Sequence, residues 1–238
     1  MPTAPTLPLS SPFLGPSQGP LPLQPGDHLP AEEFERRYEA MPDLKKAELI
    51  DGVVYMPPPV LFDDHADPHF QMNTWLGHYV AYTPGLRGGD NATVRLNPKN
   101  RPQPDLLLII RPECGGATTI TNGYVTGSPE WVGEISASSA SYDLHTKLRE
   151  YHRAGVPEYV VWRVWDRAID WFVRTESDFT KLQPQKDVYR SPNFPGLWLY
   201  ADAMIAGELA QVLAVLQQGL ATPEHAAFCE KLREQVRK

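Results

Sequence analysis

Two short apolar runs constrain this chain most, because each carries a carboxylate where a carboxylate is costly. "PDLLLII" spans residues 104–110 and "WVGEIS" spans residues 131–136. Continuous apolar runs of this length suit strands covered on both faces. Asp105 opens the first run and Glu134 lies inside the second. An acid in a buried strand costs several kcal/mol unless it is paired or bound to a cation. Two such acids on successive strands repel one another unless an ammonium group or a metal ion neutralises them. Lys147 follows on a helix pattern that opens with Asp143.

The rest of the chain supplies a frame for those strands. Residues 1–26 carry a proline at nearly every third position and no charge, which predicts a disordered or polyproline-like arm before a single domain over 27–238. "LPAEEFERRYEAMP" predicts an N-terminal helix, with Pro30 near its start and three early glutamates. Asp51-Gly52 between two apolar runs predicts a hairpin that carries Glu48 on its first strand. Asp67 to Tyr82 predicts a helix with Phe70, Trp75, Leu76 and Tyr79 on one face, ended by Pro84-Gly85. Further strands are expected at "ATVRL", around Asn122-Gly123, at "EYVVWRV" and "AIDWFVR", and over 179–190, with two amphipathic helices at the C-terminus. This order gives a mixed α/β (α+β) fold. Trp162, Trp165 and Trp171 are expected in the core or an interface, and the serines from Ser136 to Ser141 as a helix-capping turn.

Composition narrows the function classes. No run reaches the roughly 18–20 apolar residues of a membrane span, and the start lacks the pattern of a secretory leader, so a cytoplasmic protein without membrane contact is expected. Cys114 and Cys229 lack metal-ligand spacing. The net charge of −7 argues against a constitutive nucleic-acid binder, since phosphate neutralisation needs a basic surface. It does not argue against an enzyme that collects metal ions with carboxylates.

Taken singly, the site candidates have ordinary explanations. Glu134 could end a strand at the surface, Asp105 could sit in a turn, and Lys147 could be a solvated partner of Asp143 at i, i+4. Asp143 equally suits the first turn of a helix, His69 a helix cap, and Tyr151 the stripe of Leu144 and Leu148 that marks a core face.

Together, "QPDLLLII" and "PEWVGEISASSASYDLHTKLREYHRAGVPEYVVWR" resemble the Uma family within the PD-(D/E)XK nuclease superfamily. The likeness runs through Pro104-Asp105, Glu134 with Ser136, Asp143, Lys147, Tyr151, Gly155-Val156 and Glu158-Tyr159, and extends more weakly from "ELIDG" and His69 to "FPGLWL". It implies a restriction-endonuclease-like core, a central mixed sheet flanked by helices. It also implies a metal-dependent endonuclease acting on DNA. Asp105 and Glu134 would be ligands of Mg²⁺ or Mn²⁺, Glu48 a supporting ligand, and Lys147 the charge stabiliser, with Asp143 and His69 in support. The superfamily pattern places its lysine two residues after the acid, where this chain has Ser136; Lys147 resembles a relocated lysine. A homodimer would suit cutting both strands. The competing reading is an inactive nuclease fold serving as an interaction or nucleic-acid-binding module; a two-carboxylate glycosidase is the more distant option.

Overall fold

The computed structural model describes residues 19–237. Helix α1 (Ala31–Glu39) follows Pro30 at its N-cap, with Glu32 and Glu33 in the first turn and Arg36 and Arg37 in the last, matching the helix dipole. Strands β1 (Glu48–Ile50) and β2 (Val53–Tyr55) form the expected hairpin. Asp51 and Gly52 take φ of 51° and 80°, the type I′ turn that Asp-Gly favours.

A π-helical turn, Phe62–Ala66, runs directly into helix α2 (Asp67–Tyr82). Its buried face is Met72, Trp75, Leu76 and Tyr79. Phe70, expected on that face, is 66% exposed. At 3.6 residues per turn it stands about 160° around the helix from Met72.

Strands β3 (Leu86–Asp90), β4 (Val94–Arg95), β5 (Leu106–Ile110), β6 (Thr119–Thr121), β7 (Tyr124–Thr126) and β8 (Trp131–Ser136) come next. The helix after β8 starts at Ala140, earlier than Asp143. It is built from α3 (Ala140–Tyr142), a π-helical turn over Asp143–Lys147, and α4 (Leu148–Ala154). Then follow β9 (Glu158–Arg163), β10 (Ala168–Arg174), β11 (Phe179–Lys181), β12 (Val188–Arg190), β13 (Trp198–Tyr200), α5 (Ala201–Ile205), α6 (Leu209–Leu220) and α7 (Pro223–Val236).

The central sheet has the order β11-β10-β9-β8-β5-β3. Only β8 and β9 pair in parallel, and the α3–α4 segment is their crossover, so the sheet is mixed as expected. Alternation divides its side chains between two cores. Leu106, Leu108, Trp131, Ile135, Val160 and Trp162 face α2 and the C-terminal helices. Leu107, Ile109, Val132 and Val161 face Tyr151 of α4 and Tyr159. By the same alternation, Asp105 and Glu134 belong to this second face.

A third cluster, with Phe34, Leu49 and Val54, includes Leu23, which is 4% exposed. Gly26 N–H also donates to the Val54 carbonyl. Ordered chain therefore reaches into the expected arm, because Leu23 is apolar enough to pack beside α1; residues 1–18 of that arm lie outside the described residues. Among the described residues no helix is long and apolar enough to cross a membrane.

Candidate active site

Strand register brings the two strand acids together. β5 and β8 pair antiparallel with Leu106 opposite Gly133, so one step further along the ladder Asp105 stands opposite Glu134. Gly133, next to Glu134 on β8, turns to the other face of the sheet, where a Cβ would come within 2.6 Å of the Trp131 ring. Asp105 and Glu134 are 2% and 3% exposed. Like charges directly across a sheet destabilise it unless something positive intervenes.

Lys147 intervenes. The π-helical turn before α4 buries it to 4% exposure, with Nζ 3.0 Å from Glu48 Oε2, 3.0 Å from Glu134 Oε1 and 3.6 Å from Asp143 Oδ1. Tyr151 Oη donates to Glu134 Oε1 at 3.2 Å, and the Gln103 N–H donates to Glu48 Oε1 at 2.7 Å. Asp105 is held separately. Its Oδ1 accepts from Lys46 Nζ at 2.9 Å, its Oδ2 accepts from the Ile135 N–H at 2.8 Å, and His65 Nε2 lies 3.1 Å from Oδ2.

Burial pushes the Glu134 carboxyl up to about 8, against the pull of Lys147. Burial also works to strip Lys147 of its proton, but Glu134, Glu48 and Asp143 outweigh it and hold the proton on. The two shifts agree: three acids share one ammonium, so the lysine stays charged and Glu134 takes the proton. At Asp105 burial opposes ionisation, yet the hydrogen bond with His65, the charge of Lys46 and the Ile135 N–H prevail and hold it well below the usual carboxylate range.

All four acids and both lysines line one open recess of about 580 Å³, with Val60, Leu61 and Trp165 among its apolar walls. With the proton on Glu134, the three remaining carboxylates face two ammonium groups and leave the recess one positive charge short, with Asp64 and His65 at its edge. That hard-oxygen donor set fits the chemistry of a hard divalent ion. As they stand, no group of three or more His, Cys, Asp and Glu side chains is disposed around a metal position among the described residues. The reason is visible: Lys147 occupies the point where Glu48, Glu134 and Asp143 converge.

The structure thus brings together Asp105, Glu134, Lys147, Glu48 and Asp143. His69 contributes differently, its Nε2 meeting the Asp105 carbonyl oxygen at 2.9 Å and not the carboxylate. The serine turn makes no side-chain cap; Ser139 Oγ donates to Asp143 Oδ2 at 2.6 Å instead, because the acid is the stronger acceptor. Tyr151 is both core and site. Trp165, expected in the core or an interface, is 62% exposed at the rim.

Sequence reasoning passed over Lys46 and His65. Lys46 lies two residues before Glu48, the spacing that sends extended side chains to one side, and His65 lies one helical turn before His69. Both signals were present, and neither stands out without knowing that Asp105 is buried.

The fold resembles the crystal structure of a "putative nuclease belonging to DUF820" from Anabaena variabilis, with a TM-score of 0.51 and 11% identity over 72% of this chain and 92% of that one. No curated protein matches the chain. The Uma2 family, described as "Putative restriction endonuclease", matches residues 31–202, which takes in α1, the hairpin and every acid and lysine of the recess. By that match the chain belongs to the Uma2 restriction-endonuclease family, and its function is nuclease-like.

Proposed function

We propose that the protein is a divalent-metal-dependent endonuclease hydrolysing DNA phosphodiester bonds. The observation that carries this reading is the recess itself, where Asp105 opposes Glu134 and four buried acids converge on only two lysines. Asp105 and Glu134 would hold Mg²⁺ or Mn²⁺, with Glu48 in support. The bound ion would acidify a water and neutralise phosphate charge.

The remaining work falls to the chain's own groups. Lys147 is the fixed positive charge of the floor and would meet the negative charge that develops on the phosphate. Asp143, gripped by Ser139, orients Lys147, while Tyr151 orients Glu134. Lys46 and His65 keep Asp105 anionic, as a hard-ion ligand must be. Cys114 and Cys229 are free and buried, which suits a reducing cytoplasm.

One observation favours the second reading, a nuclease fold without chemistry: every acid already has a cationic partner. Metal binding separates the two. Calorimetric titration of Mg²⁺ and Mn²⁺, run beside Glu134→Gln and with plasmid nicking on the same samples, should give binding that weakens and nicking that disappears in the variant. A folded wild-type protein that takes up no metal would sink the catalytic reading.

A further inference from the structure

The walls of the recess differ from its floor. Val60, Leu61 and Phe62 are 65%, 60% and 71% exposed, three consecutive apolar side chains turned to solvent. Trp165 faces the same opening from the β9–β10 turn, and Val60, Leu61 and Trp165 all line the recess. Consecutive apolar side chains at such exposure are unusual on a soluble surface and mark sites of contact. The Trp165 ring is fixed rather than loose, since its Nε1–H donates to Asp64 Oδ1 at 3.0 Å. Asp64 belongs to the same π-helical turn as His65, which reaches Asp105. The rim and the floor are therefore parts of one assembly.

We infer that this rim stacks an unpaired base, so that the substrate is a single-stranded or locally unpaired nucleic acid. The inference rests on the nuclease reading for what the floor does. Asp105, Glu134 and Lys147 are all at most 4% exposed, at the bottom of a recess walled by bulky side chains. Such a recess suits a phosphate whose base has left the stack better than one held in a paired strand. A nucleotide whose base has left the stack can enter, and base and phosphate then divide the recess: the ring meets Trp165 and the apolar wall, the phosphate turns to the floor, where Lys46 and Lys147 are the positive groups. Stacking on aromatic side chains tolerates any base and adds to what backbone charges contribute.

Tryptophan fluorescence tests this on the full chain. Among the described residues Trp75, Trp131, Trp162 and Trp171 are buried and Trp198 is half-buried beneath Arg190, leaving Trp165 as the strongly exposed reporter. Oligo-dT and a hairpin duplex of equal length are titrated first in metal-free buffer and then in Mg²⁺. Oligo-dT should quench the emission and bind about tenfold or more tightly than the duplex. Trp165→Ala should lose the quench and weaken oligo-dT binding by about tenfold, the scale of one base stack, while Trp165→Phe keeps most of the affinity. Duplex binding as tight as oligo-dT binding, no quench in either buffer, or a folded Trp165→Ala that binds as wild type would each overturn the inference. The two readings fail separately. A protein that stacks oligo-dT on Trp165 yet takes up no metal keeps this inference and loses the nuclease. One that nicks plasmid with the same KM in Trp165→Ala keeps the nuclease and loses this inference.

Discussion

Replacing Lys147 with Met should destabilise the domain by far more than a surface charge would. The ammonium is 4% exposed and lies within 3.6 Å of Glu48, Glu134 and Asp143. Met fills nearly the same volume, so the packing loss is small and the change isolates the charge. Removing one partner from a buried ionic group leaves the others uncompensated, at a cost of about 3–5 kcal/mol. For a domain of this size each kcal/mol moves the melting temperature by about 2–4 °C, so Tm should fall by roughly 6–20 °C. Thermal unfolding followed by circular dichroism at pH 8, with chelator present, measures it. The double variant with Glu134→Gln should lose about 1–3 kcal/mol less than the two single losses added together, since the lysine and the acid act on one another. Added Mg²⁺ should raise the Tm of Lys147→Met more than that of wild type, with the acids released to a different cation. A fall below about 2 °C, or strict additivity with Glu134→Gln, would refute the reasoning and make Lys147 a bystander.

Two further outcomes follow from the same site. Glu134 holds its proton to about 8 in the fold, against 4.5 for an ordinary glutamate, so across that window the folded chain binds a proton that the unfolded chain has released. Stability should therefore fall as pH rises from about 4.5 to about 8. Melts at successive pH values should show that slope, and Glu134→Gln should flatten it; a wild-type profile that is level or rising there would count against it. Gly133→Ala would place a methyl group 2.6 Å and 2.8 Å from Trp131 ring carbons. Overpacking of this kind costs about 1–3 kcal/mol, so an unchanged melting temperature would mean that the indole does not lie against Gly133.

How much of this was legible in the chain depends on the range of the interaction. The Asp51-Gly52 hairpin, α1, α2, β5, β8 and the β9–β10 pair announce themselves through local turn chemistry and periodicity, and the structure has them where the residues place them. β3 escaped because "LRGGD" carries two glycines and only one buried apolar side chain, and is held by pairing with β5 instead of by its own propensity. Asp105 and Glu134 stood out as acids in apolar runs, whereas Glu48, Asp143 and Lys147, each with an ordinary explanation taken singly, came in through the family resemblance. Lys46 and His65 were not legible, for a different reason. Each looks like an ordinary polar residue until the fold brings Asp105 against it from 59 residues away in one case and 40 in the other. Phe70 misled because exposure on a helix is a matter of angle, not of hydrophobicity.

The arrangement of cations bears on how such a site would exchange ligands. Lys147 sits where Glu48, Glu134 and Asp143 converge, the position a metal drawing on those acids would contest. Glu134 meanwhile carries a proton near neutral pH. A divalent ion arriving at Asp105 would meet a carboxylate already ionised, and would then compete with one proton and one ammonium for Glu134. The ion would displace both only by drawing on Asp105 and Glu134 together, with a double charge between the two carboxylates. Metal uptake should therefore release close to one proton below about pH 8 and progressively less above it, a quantity that calorimetry in buffers of different ionisation enthalpy reads directly. Uptake with no proton release at pH 7 would mean that Glu134 is not a ligand, and that the ion, if it binds, is held by Asp105 without its partner across the sheet.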